Sequence, residues 1–194
     1  MPTFEPSLEL LKQLLMNPRY SILFILLLIA SVSDCRSYRI PNWLTFGGTT
    51  FALLYSLVVP FAPKLGFGWA LGGYALGLCF MLPLYVLGAM GAGDVKLMAM
   101  VGAFLGLSDV IYAVLFVFAL GGVMAVAHAL WHQSLARMFS NTRLALRTLW
   151  FSTRGGQPPD APNTDRPSVG KLPYALSIFL GTATFMVASQ LGYA

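Results

Sequence analysis

An all-α, polytopic integral membrane protein with about six transmembrane helices is the fold the sequence predicts, and three observations carry the prediction. Of 194 residues, 57% are hydrophobic and 10% are charged, whereas a soluble domain carries about a quarter charged residues. The apolar residues gather in uncharged runs: Tyr20–Ser33, Trp43–Pro63, Leu65–Gly93, Leu97–Ser108, Val110–Gln133 and Leu172–Ala194. The basic residues lie between these runs, where they set the orientation of a membrane protein.

A spanning helix needs roughly 20 apolar residues. The runs predict helices near 17–34, 43–61, 67–88, 94–108, 109–131 and 172–192 in one membrane domain covering 1–194. The first and fourth are short and have an end among polar residues at the membrane interface. Gly73 with Gly77, and Gly102 with Gly106, stand at i, i+4 spacing. Small residues so placed let helix backbones approach closely, which is a packing signal. Leu8–Met16 reads as a short surface helix. Residues 134–150 place Arg137, Arg143 and Arg147 among Leu135, Met138, Leu144, Leu146 and Trp150. They form either a basic amphipathic helix on anionic lipid or a solvated positive loop. The stretch RGGQPPDAPNTDRPSVG (154–170) is loop in composition, so 134–170 is assigned as a cytoplasmic loop.

Counting Lys and Arg on alternate sides orients the chain. One side holds Arg36, Arg39, Lys96, Arg137, Arg143, Arg147, Arg154, Arg166 and Lys171; the other holds Lys12, Arg19 and Lys64. The richer side should be cytoplasmic. This puts the N-terminus outside and segments 34–42, 89–96 and 132–171 inside. Ala30-Ser31-Val32-Ser33 loosely resembles a signal-peptidase site. The leader, however, opens with Glu5 and Glu9 rather than basic residues, and cleavage would remove a span.

The net charge of +5 does not signal nucleic acid, because the basic residues fall where topology needs them. Cys35 and Cys79 form no CxxC pair, so neither a zinc ribbon nor a disulfide framework is encoded. No HExxH or GxSxG motif occurs. Neither a metal nor a cofactor is expected.

The carboxylates narrow the chemistry. Glu5, Glu9, Asp160 and Asp165 lie in terminal or loop segments, and Asp109, in LGLSDV, reads as a helix N-cap. Asp34 ends the first predicted helix and Asp94 begins the fourth, so both lie at the cytoplasmic edge. Ionisable groups at membrane depth are costly and tend to be functional. Two neighbouring carboxyls share a proton. The ionised member can then take a proton from water while the protonated member donates to a scissile carbonyl. In GAGDVKL, Gly91 and Gly93 allow positive φ and leave bare backbone on which a substrate strand could approach Asp94. The alternative is that these glycines only end the third helix and turn the chain, with Asp94 capping the fourth.

The tetrapeptide Gly91-Ala92-Gly93-Asp94, followed by Val95-Lys96-Leu97, resembles the signature of the intramembrane GxGD aspartic peptidases. Presenilin and signal peptide peptidase share it, paired there with a Tyr-Asp motif. Here the first carboxylate stands in SDCRSYRIPNWLT (Ser33–Thr45). Asp34 with Arg39, Ile40, Pro41 and Asn42, about fifty residues before GAGDVKL, resembles the type IV prepilin leader peptidases. The resemblance implies a membrane aspartic endopeptidase that removes basic leaders from prepilins or pseudopilins, cutting after a Gly at the cytoplasmic face. It implies Asp34 and Asp94 as the catalytic pair, no metal and no nucleic acid. Larger members also methylate the new N-terminus and carry a CxxC-containing cytoplasmic insertion. This chain lacks that insertion and is similar to the small peptidase-only form of Flp, tight-adherence pilus systems.

Gly91, Gly93, Lys96, Arg39 and Asn42 are candidate substrate-binding or site-shaping residues. Lys96 could steady the diad or meet a substrate acid, or anchor at the interface with its stem in the membrane. Arg36 and Arg39 could hold topology or dock a leader. Pro41 and Asn42 should start the second helix, with Asn42 near the cap. His128 should be a neutral residue satisfied by a neighbouring helix. The rival functions are a small proton-coupled transporter using Asp94 and a non-enzymatic component of a pilus or secretion apparatus. Methyltransferase activity is disfavoured by the missing insertion.

Overall fold

The computed structural model describes residues 17–60, 66–131 and 173–191. They form six helices and, among the described residues, no strand. The helices are α1 Pro18–Ser37, α2 Asn42–Val58, α3 Phe67–Val86, α4 Ala92–Leu105, α5 Asp109–Trp131 and α6 Tyr174–Gln190. The predicted surface helix Leu8–Met16, the basic stretch 134–150 and the loop 154–170 lie outside the described residues.

The helix ends follow local chemistry. Asn17 caps α1, its side-chain oxygen accepting from the Arg19 N–H at 3.2 Å, and Pro18 fills a first-turn position that needs no N–H. At its far end α1 runs three residues beyond the predicted Asp34. Ser37 Oγ donates to the Ser33 carbonyl (2.8 Å), and Tyr38, left-handed at φ 50°, donates its N–H to the Asp34 carbonyl (2.8 Å). These bonds satisfy carbonyls that a shorter helix would leave bare. Asp34 therefore sits inside the last turns of α1 rather than at its end.

As expected, Pro41 and Asn42 start α2: Pro41 is the N-cap residue and Asn42 the first helical residue beside it, its side chain engaged elsewhere. The predicted end at 61 is cut back to Val58 because Pro60 forces Val59 out of the helical region (φ −121°, ψ 89°). Helix α3 ends at Val86, two residues short of its predicted limit, ahead of Gly88 at φ 68°. Helix α4 stops at Leu105 rather than 108 because Gly106 takes φ 85°. Asp109 is the first residue of α5 and places its carboxylate in the first turn rather than at an N-cap outside it.

The chain divides into two units, Met1–Gly121 with Pro173–Ala194, and Gly122–Leu172. In the second, the described residues are the Gly122–Trp131 part of α5.

In the first unit α4 is the axis. It packs against α1, α2, α3 and α6, and Val95 and every residue from Leu97 to Leu105 are buried. Its closest partner is α3. A methyl added at Gly73 would strike the Gly102 carbonyl and Gly106, and one added at Gly102 would strike the Gly73 carbonyl. Gly77 faces the Met98 carbonyl in the same seam. The two glycine pairs thus meet each other, and backbone packs on backbone. Across the unit, Gly181 of α6 lies against the Val117 backbone of α5.

The outside of the bundle is apolar. Ile25 is 54% exposed, Leu57 61% and Val86 72%, a surface suited to lipid rather than water. Among the described residues, three stretches are long and apolar enough to cross a membrane, Pro18–Ser37, Phe67–Val86 and Asp109–His128, and Tyr174–Gln190 is a shorter apolar helix. At 14 residues, α4 spans about 21 Å, short of a bilayer core of about 30 Å. Of the six predicted spans, all exist as helices and three meet the length of a span.

Candidate active site

Three helix ends carry the residues of interest: the last turns of α1, the start of α4 and the start of α6. Asp34 is 7% exposed. Its Oδ2 accepts a hydrogen bond from the Ala175 backbone N–H in the first turn of α6, at 3.1 Å. One turn earlier in α1, Ser31 Oγ donates to the Ala175 carbonyl (3.1 Å) and to the Leu27 carbonyl (2.9 Å). Asp34 and Ser31 together clamp both polar groups of one peptide residue. The partly positive start of α6 faces the Asp34 carboxylate.

Asp94 is 8% exposed. It caps its own helix: Oδ2 accepts from the Gly91 N–H at 3.0 Å, and the Asp94 N–H donates to the Gly91 carbonyl at 3.2 Å. The capping alternative is therefore real as geometry. It occupies Oδ2 and leaves Oδ1 outside these bonds.

Burial pushes the Asp94 carboxyl from 3.8 up to about 6; the Gly91 N–H opposes the shift, and the nearby charge of Asp34 adds to it. The fold thus brings two carboxylates from distant sequence positions within electrostatic reach.

The two motifs also touch through apolar atoms. A methyl added at Gly93 would stand 3.3 Å from Ile40 Cβ, so Arg39-Ile40-Pro41-Asn42 rests on the GAGD turn. Neither glycine needs the left-handed region. Gly91 has φ −82° and Gly93 lies inside α4; among the described residues the positive-φ glycines are Gly88 and Gly106. Gly93 matters because it has no side chain to hold Ile40 away.

The other predicted site residues separate. Lys96 points to α2, where its Nζ donates to Asn42 Oδ1 at 3.0 Å and sits 5.1 Å from the centre of the Phe46 ring. Lys96 and Asn42 therefore form a strut between α4 and α2 rather than a contact with the carboxylates. Arg39 is exposed; its carbonyl accepts from Ser33 Oγ (2.9 Å) and Ser37 Oγ (3.4 Å), so its visible contribution is backbone. Among the described residues there is no group of three or more His, Cys, Asp or Glu placed to hold a metal ion.

Sequence reasoning missed the start of α6. Tyr174 lies within the field of Asp94, and a methyl on Gly121 would come within 2.7 Å of its hydroxyl oxygen. The Ala175 contribution is a backbone N–H, which no residue type announces. The available signal was Pro173 followed by Tyr174 at the head of an apolar run.

Compared with protein families, residues 21–126 match the model of the type IV leader peptidase family, more than half of the 194 residues. The chain belongs to the type IV leader peptidase family. Comparison with curated proteins and with solved structures found no match. The matched stretch runs from α1 into α5 and includes Asp34, Asp94 and both motifs. The start of α6, which holds Asp34 through Ala175, lies beyond it.

Proposed function

We propose that this protein is an aspartic endopeptidase that removes the leader from type IV prepilins or pseudopilins at the cytoplasmic face of the bacterial inner membrane. The observation that carries the reading is the convergence of Asp34 and Asp94, two buried carboxylates close enough to couple electrically. Buried carboxyls with a raised proton affinity and a charged neighbour are what acid–base chemistry requires.

In the proposed reaction Asp94 holds the proton, consistent with its raised pKa, and Asp34 is ionised at the positive end of α6. Asp34 takes a proton from a water molecule as its oxygen attacks the scissile carbonyl carbon. Asp94 gives its proton to the carbonyl oxygen, forming a gem-diol. Collapse of the gem-diol breaks the C–N bond: the leaving amine takes the proton that Asp34 received, and one gem-diol hydroxyl returns its proton to Asp94 as the carboxyl group of the product forms. The apolar segment of the prepilin lies along the bundle, and its basic leader stays in water on the side of Arg36 and Arg39. The chain acts as one membrane domain. Lacking the insertion of larger members, it acts as the peptidase-only form of Flp-type systems and leaves the new N-terminus unmethylated.

The test is purified protein in detergent with a candidate prepilin, followed by mass spectrometry of the product. A single cut after the Gly that precedes the apolar helix, with an unmodified N-terminus, is expected. An intact prepilin, or a cut within the apolar helix, would contradict the reading.

A further inference from the structure

At the other end of α1 and α4 lies a cavity of about 330 Å³ bordered by Arg19, Tyr20, Tyr55, Trp69, Ser108 and Asp109. Arg19 and Asp34 are fifteen residues apart on α1, which separates their Cα atoms by about 22 Å. The cavity is therefore remote from the carboxylate pair. Nothing in the proposed reaction uses it.

Its chemistry is specific. Arg19 is 8% exposed, a costly position for a charge at a membrane boundary. It is held in place: its guanidinium donates to the Val59 carbonyl and lies 5.5 Å from the centre of the Tyr55 ring. Asp109, of opposite charge, borders the same space from the first turn of α5. Tyr20, Tyr55 and Trp69 complete the wall, the residue types that settle at the headgroup level of a bilayer. The volume stands at the low end of small-molecule sites. Next to the opening the surface turns fully apolar: Leu57 is 61% exposed, Val58 81% and Val59 43%.

We propose that this cavity binds the zwitterionic headgroup of a phosphoethanolamine lipid, its phosphate on Arg19 and its primary ammonium on Asp109. A guanidinium matches phosphate oxygens through a rigid fork of donors. A carboxylate can accept hydrogen bonds from a primary ammonium, which a quaternary ammonium cannot give. The aromatic walls favour the cation. A phosphodiester alone would meet the repulsion of Asp109, and an amine alone that of Arg19. The exposed Leu57–Val59 ridge gives the acyl chains a place to lie, which selects a lipid over a free phosphoester.

The experiment uses the full chain, delipidated in detergent. Its apparent melting midpoint and native mass spectrum are recorded with added dioleoyl phosphatidylethanolamine, phosphatidylglycerol or phosphatidylcholine, and with soluble glycerophosphoethanolamine. Phosphatidylethanolamine should raise the midpoint most and be retained as one tightly held lipid. Retention should weaken by about tenfold or more in Arg19→Gln and in Asp109→Asn, the loss expected for one charge-assisted contact. Should those variants fail to fold, Trp69→Leu and Arg19→Lys supply the same comparison. Asp34→Asn should hold the lipid as the wild type does. Equal effects of all three lipids, or retention unchanged in the cavity variants, would overturn the proposal. An equal effect of glycerophosphoethanolamine would overturn the assignment to a lipid.

Discussion

At the scale of single residues, Asp94 is both a helix cap and a buried carboxylate with a raised proton affinity. Its Oδ2 closes the first turn of α4 through the Gly91 N–H, and its burial works against its charge. The folded protein binds the Asp94 proton more tightly than the unfolded chain, about 6 against 3.8. The stability gained from that proton is complete below pH 3.8 and is lost as pH rises through about 6. Above that range the ionised group costs up to about 3 kcal/mol, at 1.36 kcal/mol per pKa unit. Asp94→Asn keeps an oxygen for the Gly91 N–H and removes the charge. It should melt higher than the wild type at pH 8 and equal to it near pH 4, in thermal scans of detergent-solubilised protein; a lower midpoint at pH 8 would show the carboxylate to be chiefly structural. Activity should have a descending limb: kcat/KM should fall as pH rises above about 6 and Asp94 loses its proton. Gly93 adds a steric prediction. Gly93→Ala puts a methyl 3.3 Å from Ile40 Cβ, so turnover should drop while the fold stays intact by circular dichroism. Adding Ile40→Ala should restore part of the loss, because it removes Cγ1 and Cδ1, each 3.5 Å from that methyl, and lets the residue give way.

At the scale of elements, the seam between α3 and α4 depends on the absence of side chains. Gly102→Val drives a side chain into the Gly73 carbonyl, and the expected cost is about 3 kcal/mol or more, seen as loss of the folded species on size-exclusion chromatography. Gly47 and Gly68 are helical glycines with open space around them. Alanine at either should be neutral or stabilise by up to about 1 kcal/mol. The helices themselves were legible in the sequence because apolar runs bounded by charge or proline are unambiguous, and all six exist. Their ends were less so. The extension of α1 to Ser37 rests on serine hydroxyls and on a left-handed tyrosine, neither of which disturbs hydropathy. The truncation of α2 was readable from Pro60 in retrospect, since proline constrains the residue before it.

At the scale of the whole molecule, the membrane nature followed from composition and the family from the resemblance, and the match over residues 21–126 agrees with the family. What the sequence could not supply was the third wall of the site. Asp34 is held by a backbone N–H at Ala175, 141 residues away, and a backbone donor leaves no compositional trace. The native cysteines report the orientation directly. Cys35 is exposed in the last turns of α1, and Cys79 is exposed within Phe67–Val86. In membranes, a charged maleimide should label Cys35 from the cytoplasmic side alone and should leave Cys79, which faces lipid, unlabelled. Labelling of Cys35 in intact cells by an impermeant reagent would reverse the proposed topology.

The pairing of Asp34 with Asp94 is tested most directly by co-expressing a candidate prepilin with the wild type, Asp34→Asn or Asp94→Asn, and reading the pilin's electrophoretic mobility with quantified membrane levels of each enzyme. Mature pilin is expected with the wild type and only unprocessed prepilin with either variant, at equal enzyme abundance. Mature pilin at near wild-type levels with either variant would contradict the pairing, and would leave that aspartate as nothing more than a helix cap.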